Sequence, residues 1–553
     1  MRIVECVPNF SEGRDRAKIE AITKEIEGVA GAQLLDVDPG ADTNRTVVTF
    51  AGTPEAVEEA AFRAIKKAIE VIDMTRHKGA HPRIGAADVC PFVPVAGVSM
   101  EECAAIAERL GERVGSELGV PVYLYEHAAT TPERRSLAHI REGEYEGLRE
   151  KLQRPEWAPD FGPATFNPKA GAVVIGAREF LIAYNVNLNT RDKRLAHEIA
   201  LGIRDTGRTK RDEDGNILRN ADGTALRVPG KLEAVRAVGW YIDEYKQAQV
   251  SMNLMSYHIT SLHAAFEAVR EEAEKLGLIV TGSEIVGLVP LEPLLEAGRY
   301  FLRKQGKSHG MPEPYLIDVA VRSLGLNQLH EFDPKRKVIE YRLMPLAPLG
   351  TMRLSEFVNE VSTDSPAPGG GSVAALCGSL GAALVSMVAN IAASRKGSDL
   401  DILSRLAASA QGLKDELLRS VDRDAGAFNA VLDAMRLPRR TEEQTAAREI
   451  AVQSAYRHAA EVPLATADLC LKALALSREA AMLGDDASIS DAGVAALTAW
   501  SGIEGAALNV LINLREIQDE EFCASMRRRV DEMRHRALGL RDEVLRSLGE
   551  RLL

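Results

Sequence analysis

Several protein classes are excluded by what the chain lacks. Cysteine is sparse: Cys6, Cys90, Cys103, Cys377, Cys470 and Cys523 are scattered, with no C-x-x-C pair. That spacing signals neither a disulfide framework nor a zinc site, and it fits a reducing compartment, so a cytoplasmic location is expected. An excess of cations is also missing. The formal net charge of -12 leaves no broad basic surface to displace counterions from phosphates, so no nucleic-acid partner is expected. The start, Met1-Arg2-Ile3-Val4-Glu5-Cys6, has no long apolar stretch behind a basic cluster, and export is not expected. Two runs, Cys377 to Ala393 and Ala495 to Leu514, are apolar enough to raise membrane helices. Ser379, Ser386 and Asn390 interrupt the first and Glu504, Asn509 and Asn513 the second. Both are also rich in small residues, which reads as close packing in a soluble bundle rather than membrane insertion.

The 46% apolar and 27% charged content is that of a globular protein, and 553 residues exceed what one core can organise. The first third is α/β in pattern: Thr46-Val47-Val48-Thr49-Phe50 precedes an amphipathic stretch from Pro54 to Ile72, with Thr53 placed to cap it. An internal echo sets Val7 to Asp15 beside Tyr184 to Asp192, and Ala60 to Ile65 beside Ala264 to Val269. The first 333 residues are therefore expected to form two related α/β lobes, residues 1–182 and 183–333. Within it, Glu150 to Lys169, rich in proline and aromatic residues, is expected to be an ordered loop crossing between lobes. The turn-rich Arg208 to Pro229 is expected to be an exposed hairpin. Repeated prolines over 334–353 predict a linker. Residues 354–553, rich in Ala, Leu, Arg and Glu, predict an all-α bundle in which Pro438 and Pro463 divide the helices.

Three segments could carry chemistry. Arg76-His77-Lys78-Gly79-Ala80-His81-Pro82-Arg83 to Asp88 joins two histidines to several cations, and reads as either a proton-transfer loop or a basic surface loop. A zinc pair of His77 and His81 is disfavoured, because Gly79 and Pro82 break the helix their spacing would need. Ser365 to Ala374 sets a glycine loop before a helix, either to hold an anion or simply with Ser372 as cap. Val421-Asp422-Arg423-Asp424 puts two acids in a partly apolar helical pattern. That pattern is either a solvated face or, with only His458 and His535 after Leu354, the source of a proton-shuttling carboxylate.

Taken together and in order, these motifs resemble the formimidoyltransferase-cyclodeaminase family across essentially the whole chain. The resemblance rests on Val4 to Gly13, Asp36-Val37-Asp38-Pro39 with Thr43-Asn44-Arg45-Thr46, Arg76 to Pro91, Ala158 to Pro163, Ala367 to Ala374, the Asp422/Asp424 segment and Asn509 to Arg515. It implies transfer of a formimidoyl group from N-formimidoyl-L-glutamate to N5 of tetrahydrofolate. Cyclisation to 5,10-methenyltetrahydrofolate with loss of ammonia would follow, within histidine degradation.

By the same resemblance His81 is the base of the first step and Asp424 the catalytic aspartate of the second. Gly162, Pro163, Ala164, Thr165, Phe166, Asn167, Pro168, Lys169, Ala170 and Gly171 form the folate-binding stretch. Asp38 is expected to orient or electrostatically support His81. Asn9, Gly370, Ser372, Asn509 and Asn513 are expected as supporting residues. Asp422, two residues from Asp424, should point to another helix face. Tetrahydrofolate, polyglutamylated in this family, enters as cosubstrate without a metal, and the chain is expected to form a homo-oligomer. Arg303, Lys304, Arg395 and Lys396 are candidate cations for a glutamate tail. The competing reading is a transferase acting on another formimidoyl amino acid, with the helical half only an oligomerisation scaffold.

Overall fold

The computed structural model describes residues 2–41, 43–79, 81–212, 214–220, 223–343 and 349–552. Its contacts resolve into two compact units, Met1–Leu294 with Leu324–Leu343, and Leu295–Ser323 with Met344–Leu553.

The first unit opens with β1 (Ile3–Cys6), β2 (Asn9–Phe10), α1 (Arg16–Glu27), β3 (Ala32–Gly40), β4 (Arg45–Gly52), α2 (Pro54–Val71) and β5 (Ala87–Ala96). It continues with α3 (Met100–Leu118), β6 (Val122–Glu126), α4 (Leu137–Ile140), α5 (Glu144–Lys151) and β7 (Val173–Ala177). β1 and β2 are one strand interrupted at Val7-Pro8, and both lie between β4 and β5. β3 adds outside β4, while β7 and then β6 extend the other edge in parallel, giving seven strands. Side-chain oxygens fix where the helices begin: Asp15 caps α1, Thr53 caps α2, and Ser99 with Glu102 forms a capping box on α3. Helices α1, α2 and α3 bury their apolar stripes on one sheet face, around Phe10, Phe50, Ile65 and Phe92.

The second lobe runs β8 (Ile182–Leu188), α6 (Lys193–Ile203), β9 (Arg208–Thr209), β10 (Arg227–Val228), β11 (Val235–Ile242), β12 (Gln247–Leu254), α7 (Leu262–Lys275) and β13 (Val280–Val286). Its sheet order is β11-β12-β8-β13. With β1 and β2 taken as one strand and the separate β9–β10 pair left aside, β3-β4-β1/β2-β5 and β11-β12-β8-β13 both read second, third, first, fourth, the split βαβ arrangement expected of a duplication. The echoed residues take equivalent places. Asp15 and Asp192 are N-caps of the first helix in each lobe, and Ala60–Ile65 and Ala264–Val269 lie in the second. β9 and β10 form the expected hairpin. Two expectations change. The stretch after Glu150 returns to the first sheet as β7 instead of crossing to the next lobe, because Val173 to Ala177 pair between β5 and β6. The first half of the expected linker is folded: α10 (Pro334–Lys337) and α11 (Ile339–Leu343), which follow α8 (Leu291–Lys304) and α9 (Glu313–Leu324), bury Val338 and Ile339 completely. Met344 to Pro348 of that expected linker lie outside the described residues.

The second unit is helical: α12 (Leu354–Val361), α13 (Gly370–Ala393), α14 (Leu400–Met435), α15 (Glu442–Leu483), α16 (Ile489–Asn513) and α17 (Glu520–Leu552). Pro438 does separate α14 from α15, but Pro463 sits buried inside the 42-residue α15 without breaking it. One missing backbone hydrogen bond is offset there by packing on both sides of the turn. Leu295–Ser323, expected with the second lobe, joins this unit: Asn390 on α13 donates to the Gly310 carbonyl at 2.9 Å and accepts from Ser308 Oγ at 2.6 Å. Gly310 lies so close to α14 that a Cβ would fall 2.3 Å from that of Ala407. The two apolar runs form most of α13 and α16. Both are long and apolar enough to cross a membrane, and 61% and 44% of their most apolar windows are buried in the protein.

Candidate active sites

Two histidines follow α2, and their ring nitrogens decide between them. Arg83 Nε–H donates to His77 Nδ1 at 3.2 Å, which makes Nδ1 an acceptor and puts the proton on Nε2, 2.8 Å from the Asn44 carbonyl. Both nitrogens of His77 are occupied in structure. His81 differs: Nδ1–H donates to the Pro82 carbonyl at 2.7 Å, leaving the Nε2 lone pair for a reacting proton. Partial burial and then the cations Arg45 and Arg141 push its pKa below the usual histidine value, with the bond to the Pro82 carbonyl and Asp88 opposing them, which favours the neutral ring.

The sheet supplies this setting. Asp88, on β5 and 1% exposed, accepts from Ile84 N at 2.9 Å and pairs with Arg141. Arg45 opens β4. Asn9, 5% exposed, pairs with Val47 on β4 and Val89 on β5. Among the described residues, Asn9 Oδ1, Arg45 Nε and Arg141 Nε are buried without a hydrogen-bond partner. Buried polar atoms left unmet are costly, so acceptor and donors here fit a polar ligand carrying both N–H groups and an anionic oxygen.

Gly162 to Gly171 runs alongside. Gly162 to Thr165 are exposed, whereas Phe166 packs on Tyr145 with ring centroids 5.5 Å apart and lies under the Arg149 guanidinium at 4.9 Å. Asn167 Oδ1 accepts from Lys169 N and Ala170 N, and the Pro168 carbonyl accepts from Tyr145 OH at 2.6 Å. Lys169 Nζ is held by the Glu70 carbonyl at 2.8 Å. Ala86 N donates to the Ala170 carbonyl at 2.8 Å, and Gly171, at φ +72, passes so close that a Cβ would lie 2.2 Å from the Ile84 carbonyl. Only glycine combines that backbone with that approach. The stretch is thus locked against the segment that follows His81.

Asp38 is corrected. It is exposed on β3, and the structure gives it no hydrogen bond to His81; the charge it acts on is Arg45, while Asp88 is the carboxylate acting on His81. Asp88 and Arg45 lay within the quoted motifs without being singled out. Arg141 had no sequence signal, because only the turn after α4 brings it to β5.

In the helical unit Asp424, on α14, reaches the start of α13. A Cβ on Gly371 would lie 2.0 Å from its Oδ1. Ser372 Oγ lies 2.9 Å from the Val421 carbonyl and 3.1 Å from Asp424 Oδ2. A hydroxyl has one proton to give. It donates to Val421 while a protonated Asp424 donates to it, or turns to an ionised Asp424, so both states of the carboxyl are served. Burial raises the Asp424 pKa, against the lowering effect of Ser372. Ser372 is inside the helix; the cap position belongs to Gly369.

Asn509 adjoins Gly370, whose Cβ would be 3.3 Å from Asn509 Nδ2. Asn513 instead ties α16 to α15, donating to the Ala459 carbonyl at 2.8 Å. Asp422 points elsewhere, accepting from Leu349 N and Gly350 N at 3.1 Å each. Arg395, a candidate tail cation, is paired with buried Asp485.

A duplicated α/β unit with a neutral histidine among cations, and a helical unit with a protonatable carboxyl, define a two-site acid–base enzyme. Family models match in series: "Formiminotransferase domain, N-terminal subdomain" over residues 3–178, "Formiminotransferase domain" over 183–344 and "Formiminotransferase-cyclodeaminase" over 353–532. Formimidoyltransferase-cyclodeaminase of Mus musculus is 45% identical over 555 residues, covering 100% of this chain and 99% of that protein. Glutamate formimidoyltransferase of Thermoplasma acidophilum is 44% identical over 56% of this chain and 95% of its own length. Methenyltetrahydrofolate cyclohydrolase of Methylorubrum extorquens is 34% identical over 37% of this chain and 99% of its own. The chain belongs to the formimidoyltransferase-cyclodeaminase family, and it is a bifunctional enzyme of folate metabolism with transferase and cyclodeaminase activities.

Proposed function

We propose that His81 and Asp424 each carry one of the two steps. The observation behind the first role is the Nε2 of His81, left open by the bond from Nδ1 to Pro82, together with the buried Nε donors of Arg45 and Arg141 that have no partner. N5 of tetrahydrofolate attacks the amidine carbon of N-formimidoyl-L-glutamate, and His81 Nε2 takes the N5 proton. That proton then goes to the departing glutamate nitrogen as its bond to the amidine carbon breaks. A donor carboxylate suits the Arg45 guanidinium, and an amidine N–H suits Asn9 Oδ1. In the helical unit N10 attacks the formimidoyl carbon and its proton passes to the formimidoyl nitrogen; protonated Asp424 gives that nitrogen the further proton with which it leaves as ammonia, breaking its bond to the carbon that stays between N5 and N10. Both steps need proton transfer and positioning alone, with tetrahydrofolate as cosubstrate.

The folate is read as polyglutamylated and the enzyme as a cytoplasmic homo-oligomer. Exposed Leu380, Met387 and Ile391 on α13 and Val494, Leu508 and Ile512 on α16 support copies packing on these helices. The test is an absorbance assay for methenyltetrahydrofolate with ammonia recorded alongside. His81→Ala should make no formimidoyltetrahydrofolate yet cyclise it when supplied. Asp424→Ala should accumulate it. Normal cyclisation by Asp424→Ala would place that step elsewhere, and consumption of formimidoylglycine in preference to formimidoylglutamate would overturn the donor assignment.

A further inference from the structure

Lys151 is a lysine buried to 8% exposure at the end of α5. Its ammonium donates to three carbonyls of one turn, His139 at 3.2 Å, Ile140 at 2.7 Å and Glu142 at 3.1 Å, and lies 3.7 Å from the centre of the Trp157 ring. Three donors thus meet three acceptors, while the ring covers the charge. Burial lowers the lysine pKa to about 8, opposed by Glu142, and nothing in the chemistry above uses this group.

Between His139 and Glu142 the one carbonyl Lys151 leaves is that of Arg141, the C-cap of α4, which accepts from Glu144 N at 2.8 Å instead. Arg141 points the other way, to Asp88, and its charge acts on His81. Four-residue α4 is too short to hold a long side chain by itself. Lys151 supplies a restraint on this turn by meeting the carbonyls of Ile140 and Glu142 and adding a second donor to that of His139, which Glu142 N already bonds.

We propose that Lys151 is a positioning residue for the transferase step, holding the turn that carries Arg141 so that Arg141 stays paired with Asp88. The charges facing His81 are Arg45 from β4, Arg141 from the turn after α4 and Asp88 from β5, and Lys151 is not among them. Its effect therefore travels through Arg141. Loosening Arg141 removes a cation that lowers the His81 pKa and frees the Asp88 carboxylate that raises it. Both changes have the same sign.

The role rests on His81 being the transferase base, so the experiment reads His81 in two ways. One is the pH profile of transferase kcat/KM; the other is the pH dependence of His81 carbethoxylation by diethyl pyrocarbonate, followed by mass spectrometry, which needs no catalysis. In Lys151→Met both midpoints should move to higher pH by roughly half a unit, with activity at pH 6.5 falling more than at pH 8.5. Cyclisation of supplied formimidoyltetrahydrofolate by the same chain should be unchanged. Lys151→Arg, which keeps charged donors for the carbonyls, should restore the wild-type midpoints. Lys151→Gln, an uncharged donor, carries the same test should the methionine variant not fold. Unmoved carbethoxylation overturns the positioning role, whatever happens to kcat. A moved carbethoxylation midpoint with an unmoved kinetic limb shows that Lys151 sets the surroundings of His81 but overturns His81 as the base, and with it the role in the transferase step.

Discussion

Replacing Gly371 by alanine should disable one of the two activities without touching the other. The added methyl carbon would stand 2.0 Å from Asp424 Oδ1, 2.5 Å from Cγ and 2.7 Å from Oδ2, about 1.4 Å inside the 3.4 Å of ordinary contact. Gly371 is fixed in the first turn of α13 and Asp424 in the middle of α14, so the carboxylate is the part that moves. Misplacing a reacting group by about 1 Å costs on the order of 100-fold, or about 2.7 kcal/mol of barrier. Gly371→Ala should therefore lower cyclodeaminase kcat by about that factor, leave formimidoyl transfer at the wild-type rate and accumulate formimidoyltetrahydrofolate. Gly369→Ala, where a Cβ meets nothing within 4 Å, is the neighbouring control and should cyclise normally. Methenyltetrahydrofolate absorbance with ammonia release reads both. Wild-type cyclisation by a folded Gly371→Ala protein would refute the assignment of Asp424, since its carboxyl could not have stayed in place.

Asp422→Ala should leave cyclisation within about threefold of wild type and lower the thermal midpoint, because two backbone N–H groups lose their acceptor at about 1–3 kcal/mol; a lost cyclodeaminase activity would give Asp422 a chemical role instead. Glu5, 4% exposed, has its pKa pushed up to about 7 by burial, with Glu340 adding to the effect and Arg178 opposing it. A carboxyl with a folded pKa above its unfolded value stabilises below the unfolded value, about 4.5, and that stability is lost as pH rises through about 7. Hydrogen exchange of β1 should therefore report up to about 3 kcal/mol less protection at pH 8 than at pH 5 from this group, a difference that Glu5→Gln abolishes. An unchanged slope in Glu5→Gln would show that Glu5 ionises normally.

The α/β start, the helical end, the duplicated lobes and the hairpin after Arg208 were legible because each is written in local periodicity, turn residues and caps. Asp15 and Asp192 show this well, as each begins a helix through its own side chain. The motifs also set Asp424 apart from Asp422, since a two-residue step turns a helical side chain to another face, and the two carboxylates do meet different partners. Tertiary structure decided the rest. It tied up both ring nitrogens of His77 through Arg83 and Asn44, it set Asp88 rather than Asp38 among the charges acting on His81, and it carried Pro463 inside an unbroken helix. Arg141 and Lys151 show the limit: the meeting of Arg141 with β5, and of Lys151 with the turn that carries Arg141, depends on how a four-residue helix and its turn pack on the sheet, a long-range outcome that no local pattern in the chain encodes.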